Sequence, residues 1–111
     1  VDKDILALFT RAQPLFTALG DERRQEIMIL LLANQSALSV SDIAAKMELS
    51  QPAVSHHLKI LRESRLLVVQ RKGTQRLYSV NGDHYAEVLA PVGDLVETIT
   101  ACSKPPAEAE P

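Results

Sequence analysis

The stretch VSDIAAKMELSQPAVSHHLKILRES, residues 40–64, decides the fold. Two short helical patterns follow one another in it with almost no room between them. In the first, residues 42–47, Ser41 is a natural N-cap, and Ile43, Ala44 and Met47 fall on one face. Glu48 and Leu49 make a brief turn. Ser50 caps the second pattern and Pro52 occupies its first turn, where a missing N–H costs little. Val54, Leu58 and Leu61 form its inward stripe, and it runs to about Ser64. Two short helices joined by a tight turn are the helix-turn-helix pattern.

Subtracting that stripe leaves Gln51, Ser55, His56, Lys59 and Arg62 facing outward, with Glu63 as the one acid of the helix. The glutamine amide offers the donor and acceptor that match adenine, and a serine hydroxyl can bond several bases. Lys59 and Arg62 suit phosphates, which set affinity and register. Ser41 and Ser50, at the two helix starts, complete the candidate DNA-binding set on this motif.

Beyond the motif the periodicity changes. Residues 67–71 and 76–80 are β-rich runs around Lys72, Gly73, Thr74 and Gln75, which predicts a hairpin with Gly73 at the positive-φ position of its turn. Arg71, Lys72, Thr74, Gln75 and Arg76 would then stand beside the second helix on a wing able to reach the minor groove or flanking backbone. A last helix starts near Asn81 or Asp83 and runs to about Ala101, with Pro91 and Gly93 expected to kink it. Residues 103–111 hold three prolines, two acids and no large apolar side chain, and read as a disordered tail after a domain of residues 1–102.

On the N-terminal side, Ile5, Leu8, Phe9, Ala12, Leu15, Phe16 and Leu19 recur at helical spacing. Pro14 is expected to break or kink this helix, and Gly20 to end it. Asp21 starts another, with Glu22 and Glu26 early, where acids suit the dipole; it stops at residues 34–36. The expected architecture is mainly α with a small β-hairpin, in the order α-α-α-α-β-β-α.

With 111 residues there is room for one domain. Phe9, Phe16, Tyr78 and Tyr85 are the only aromatics, so the core must come from Leu, Ile, Val and Ala. The formal net charge of −2 conceals an uneven distribution: residues 46–76 carry 7 basic side chains against 2 acidic ones. Both flanks are acidic, and a basic middle is the electrostatic footprint of a nucleic-acid partner. Cys102 stands alone, which rules out an intrachain disulfide. The absence of a signal sequence and of a long apolar run predicts a soluble, cytoplasmic protein without a membrane partner.

In the last helix Tyr85, Val92 and Ile99 repeat every seven residues, as do Val88, Leu95 and Cys102, while Leu89 and Val96 widen the stripe. Together with Ile5, Leu8 and Phe9 of the first helix it either covers its own subunit's core or pairs across a two-fold axis. The second alternative suits so small a chain better and predicts a homodimer. Its two recognition helices would lie one helical turn apart, about 34 Å.

The chain resembles the arsenic-repressor (ArsR/SmtB) family of winged-helix regulators. The likeness is carried by Phe16-Thr17-Ala18-Leu19-Gly20-Asp21 with Arg24 and Ile27, and by Val40-Ser41-Asp42-Ile43-Ala44. It continues through Leu49-Ser50-Gln51-Pro52-Ala53-Val54-Ser55-His56-His57-Leu58-Lys59-Ile60-Leu61 and ends on Gly73 with Leu77-Tyr78-Ser79-Val80. The resemblance implies a symmetric dimeric repressor on double-stranded DNA at an inverted repeat, released when an effector binds. It also implies that His57 packs inward and that Arg24 is structural or faces phosphate. Glu48 stands where relatives carry Gly or Asn, which predicts a slightly different turn.

Metal-sensing relatives place Cys-x-Cys in the first helix of the motif; here it is Val40-Ser41-Asp42, which argues against soft metals. The alternative site in the last helix aligns with Asp83, His84, Asp94 and Glu97. One imidazole among carboxylates makes a hard, oxygen-rich, weak inter-subunit site for nickel or zinc; otherwise these are solvent-facing acids, with Asp83 a helix cap. Cys102 is either a small hydrophobe on the stripe or a redox sensor, though redox-sensing relatives use two cysteines. Nothing is arranged for catalysis: adjacent His56 and His57 point about 100° apart on a helix and cannot share a ligand. Two functions stay open, a DNA-binding repressor and a winged-helix module that binds an unknown partner protein.

Overall fold

The computed structural model describes residues 3–103. Two long helices, α1 (Lys3–Leu19) and α2 (Glu22–Ala33), are followed by a two-residue strand β1 (Leu38–Ser39). Then come α3 (Val40–Met47), α4 (Gln51–Glu63), β2 (Leu67–Lys72), β3 (Gln75–Val80), a 3-10 turn over Gly82–His84, and α5 (Tyr85–Cys102). Of the tail expected over residues 103–111, Ser103 is instead the C-cap of α5, its backbone N–H donating to the Ile99 carbonyl at 2.9 Å, and residues 104–111 lie outside the described part.

Neither proline ends its helix: α1 runs unbroken through Pro14, and α5 through Pro91 and Gly93. Pro14 is exposed, so the Thr10 carbonyl it cannot serve faces water. Gly20 closes α1 for a steric reason, since a Cβ there would stand 2.8 Å from the Phe16 carbonyl oxygen. Asp21 then caps α2, accepting the Arg24 backbone N–H at 3.1 Å.

The cap of α3 is Ser39, two residues before Ser41. Its hydroxyl accepts the Asp42 N–H at 3.1 Å while the Asp42 carboxylate accepts the Ser39 N–H at 3.2 Å, a complete capping box. Ser41 lies in the first turn, its hydroxyl 3.1 Å from that of Ser39. Ser50 does cap α4, accepting the Ala53 N–H at 3.3 Å.

The turn between α3 and α4 keeps the left-handed geometry for which glycine is usual. Glu48 itself adopts it, at φ 56°, and the Leu49 N–H reaches back to the Ala44 carbonyl. Arg65 repeats the device after α4 at φ 68°: its N–H bonds the Arg62 carbonyl, and that of Leu66 the Leu61 carbonyl. In both cases an L side chain accepts strain that glycine would avoid.

The strands form one antiparallel sheet in the order β1-β3-β2, with Leu38 opposite Tyr78 and Leu67 opposite Val80. Only Gly73 and Thr74 connect β2 to β3, tighter than the four-residue connection expected, and Gly73 has φ +64°. The core gathers Ile27, Ile43, Val54, Leu58, Leu61, Leu66 and Leu67, all essentially inaccessible, from α2, α3, α4 and the start of β2. Asn81 is buried too, and neither it nor Asp83 caps the last helix by its side chain. Instead, the Asn81 amide donates to the Arg65 carbonyl at 2.9 Å and its backbone N–H to Leu66, which ties the end of the hairpin to the α4–β2 junction.

Helices α1 and α5 pack on each other within one chain. That packing divides the apolar stripe, so that part of it covers this subunit's own core. Val88 and Leu95 are buried in the single subunit, Ile5, Leu8, Tyr85, Leu89 and Val92 are partly covered, and Leu6, Phe9, Val96 and Ile99 stay exposed. Cys102, counted with that stripe, is exposed at the end of α5. Among the described residues no helix is long and apolar enough to cross a membrane.

Candidate nucleic-acid interface

The capped turn, held by Leu49 and Ser50, aims α4 so that Val54, Leu58 and Leu61 enter the core. At 100° per residue, Gln51, Arg62, Ser55 and Lys59 then fall within about 80° of one another, one continuous stripe beside the buried face. His56 lies about 60° beyond the Lys59 edge of that stripe. All five are exposed, as are Ser41 and Ser50 at the two helix starts.

The hairpin projects next to that stripe. Arg71 is paired with Arg76 and Lys72 with Gln75 in register. Because strand side chains alternate, Arg71 and Arg76 share a face with Val69 and Tyr78, the face that carries the core farther back. Lys72 and Gln75 point to the opposite face, and Thr74 lies in the turn, so the wing is cationic on both sides. Arg71, Lys72, Thr74, Gln75 and Arg76 are all exposed.

Helix and wing enclose a cleft of about 460 Å³ lined by Val40, Ser55, Lys59, Arg62, Arg76 and Tyr78. Of the predicted residues, Ser55, Lys59 and Arg62 of α4 and Arg76 of the wing meet there, whereas Gln51, His56, Arg71, Lys72, Thr74 and Gln75 do not line it. Val40 and Tyr78 are the two lining residues outside the predicted DNA-binding set, and Tyr78 is the polar one. Its signal was the period of two: a side chain two residues along a strand from Arg76 shares its face.

Behind the outward face lies a polar latch. The Arg24 Nε donates to the Ala18 carbonyl at 2.7 Å, its Nη2 donates to the Thr17 carbonyl at 2.9 Å, and its Nη1 lies 3.2 Å from His57 Nδ1. Gln25 Nε2 donates to the Leu19 carbonyl. The end of α1 leaves carbonyls without helical partners, and side chains of α2 satisfy them. A guanidinium is always a donor, so His57 Nδ1 accepts and its proton sits on Nε2. Burial pushes the His57 imidazole below its ordinary pKa; the Asp21 carboxylate 3.9 Å away opposes this and the Arg24 charge reinforces it. The Arg24 backbone N–H holds the Asp21 carboxyl below its usual range. Arg24 and His57 are therefore structural, turned inward from the outward stripe.

The four residues aligned with a metal site do not meet. His84 pairs with Glu87 at 3.4 Å. Asp94 and Glu97 follow it by ten and thirteen residues, about 15–20 Å along a helix. Among the described residues no three His, Cys, Asp or Glu side chains gather where one ion could sit.

Residues 21–68, from the cap of α2 into β2, match the pattern of the bacterial regulatory proteins of the arsR family. An arsenical resistance operon repressor of Bacillus subtilis (strain 168) is 31% identical over 90 residues, 81% of this chain and 85% of that protein. A transcriptional repressor SmtB homolog of Synechocystis is 39% identical over 79 residues, 71% of this chain and 58% of that protein. Among solved structures, the homodimeric winged helix-turn-helix DNA-binding domain of Mb0332 from Mycobacterium bovis superposes with a TM-score of 0.66 at 26% identity, covering 87% of this chain and 88% of that one.

Proposed function

Since this chain belongs to the arsR family of bacterial regulatory proteins, DNA-binding transcriptional regulators and not enzymes, we propose that it is a cytoplasmic homodimeric repressor that reads an inverted repeat. Helix α4 enters the major groove with Gln51 and Ser55 toward base edges, while Lys59 and Arg62 meet phosphates. The wing follows the flanking backbone with Arg71, Lys72 and Arg76. The observation that carries this reading is the juxtaposition of the acid-poor stripe on α4 with the cationic hairpin.

The second subunit covers the apolar remainder of the α1–α5 layer. Leu6, Phe9, Val96 and Ile99 are 64%, 45%, 59% and 41% exposed, too apolar a group to stand in water on so small a chain. The homodimeric state of the Mycobacterium bovis domain supports the same assembly. Nickel or zinc release has no such support: the two halves of that site are far apart in one chain and could close only across subunits. Calorimetry with either metal on the wild type and on His84→Ala decides it, and identical curves dismiss the site.

The test of DNA reading is anisotropy on duplexes selected from a random pool, over a salt series. Lys59→Ala and Arg71→Ala should weaken binding to every sequence and flatten its salt dependence. Gln51→Ala should relax preference at one base, by about 1–3 kcal/mol. Variants that bind like the wild type would show that the wrong face was chosen.

A further inference from the structure

We infer that the cleft between α4 and the wing is a clamp for one phosphoryl group, to which the Tyr78 hydroxyl donates a hydrogen bond. The inference rests on the DNA reading above for the source of that group, a backbone phosphate of the duplex. With a helix in the major groove and a hairpin toward the minor groove, the strand dividing the two grooves passes between them.

Three observations point to an anion. The cleft is lined by Lys59, Arg62 and Arg76 with no carboxylate. Neither Arg62 nor Arg76 belongs to an ion pair among the described residues, and Lys59 meets only exposed Glu63 at 4.0 Å. Arg71 and Arg76 face each other directly across the strands, a like-charge pair that destabilises a hairpin unless something outside the chain neutralises it.

Tyr78 supplies the independent sign. The residue is more than nine-tenths buried, at 7% exposure, yet among the described residues its hydroxyl has no hydrogen-bond partner. Among the described residues no side-chain polar atom is sealed away unsatisfied, so the Tyr78 oxygen reaches solvent, and the cleft is a surface this residue lines. A largely buried tyrosine with an unpartnered hydroxyl, lining a cleft shared with Lys59, Arg62 and Arg76, offers a donor to an oxyanion there. Ser55 adds a second neutral donor from the helix side.

The experiment separates neutral from charged contributions. Tyr78→Phe removes one oxygen and leaves the packed ring. It should weaken duplex binding about tenfold per half-site, about a hundredfold for the dimer, the usual effect of a hydrogen bond to a charged group, without changing the salt slope, because no counterion is involved. Arg76→Gln should lower both affinity and slope, the slope by about 0.9 for each half-site and so about 1.8 for the dimer. A scan with single methylphosphonates along the selected duplex should find one position per half-site that weakens the wild type and is neutral toward the Arg76→Gln, Tyr78→Phe double variant. Tyr78→Phe binding as tightly as the wild type, or no such position, overturns the clamp on DNA.

Amide NMR shifts with inorganic pyrophosphate form the other arm. A wild type that ignores every duplex, yet shifts at Ser55, Lys59, Arg76 and Tyr78 on adding pyrophosphate, sinks the DNA reading and keeps the clamp as a site for free phosphate. Absence of both responses sinks the two together.

Discussion

Replacing Arg24 by methionine retains an aliphatic stem and deletes the guanidinium, which isolates the latch between α1, α2 and α4. Three bonds are lost: the one to the Ala18 carbonyl and the one to His57 Nδ1 are partly buried, and the one to Thr17 is exposed. At about 1 kcal/mol for each partly buried bond and half that for the exposed one, the loss is about 2–3 kcal/mol. Desolvation of the abandoned carbonyls is partly relieved by water at this half-open site. For a domain of this size 1 kcal/mol moves the midpoint by about 4–8 °C, so the variant should melt about 10–20 °C lower. The assay is thermal unfolding by circular dichroism at fixed protein concentration, because unfolding of a dimer depends on it. Arg24→Met should leave the salt slope of duplex binding unchanged. A loss of under 0.5 kcal/mol refutes the latch, and a slope lowered by about two, one phosphate per subunit, shows that Arg24 holds a phosphate instead.

Two other predictions follow from backbone strain and proton linkage. Glu48→Gly should raise stability by about 0.5–1 kcal/mol, since the φ of 56° costs an L residue more than glycine's extra freedom in the unfolded chain; urea denaturation showing a loss would contradict it. The His57 pKa is lowered on folding, so the unfolded chain binds more protons below its ordinary value of 6.5. Stability is therefore complete above that pH and declines as pH falls through 6.5 toward the folded pKa; His57→Gln should flatten this decline in a pH series of melts.

The helix-turn-helix was legible because its signals are local: Ser50, Pro52 and a four-and-three apolar spacing leave little choice. Where sequence reading slipped, the deciding interaction was distant or unusually short. Strand β1 has two residues and exists by pairing with β3, some forty residues on, and no periodicity can be read from two positions. The cap of α3 moved from Ser41 to Ser39 because Asp42 closes a capping box three residues after Ser39. Glu48 carries no letter that announces a left-handed residue. The division of the α5 stripe into buried Val88 and Leu95 and exposed Val96 and Ile99 depends on where α1 lies, which is tertiary information. On the cationic face every charged position was visible in the chain, but Tyr78 looked like core, and it lines the cleft as well.

The short connection at Gly73 and Thr74 limits how much DNA one subunit can inspect. Past Tyr78 the ribbon has three residue pairs left, from Gln70 with Leu77 to Lys72 with Gln75. At strand rise that is about 10 Å of lever. Such an arm can touch the rim of the neighbouring groove but not the base pairs beyond it, so the outer margin of the operator is set by hairpin length. Residues inserted in twos on each strand would widen the footprint outward and preserve the alternation of faces. An odd insertion would turn the arginines away from the duplex.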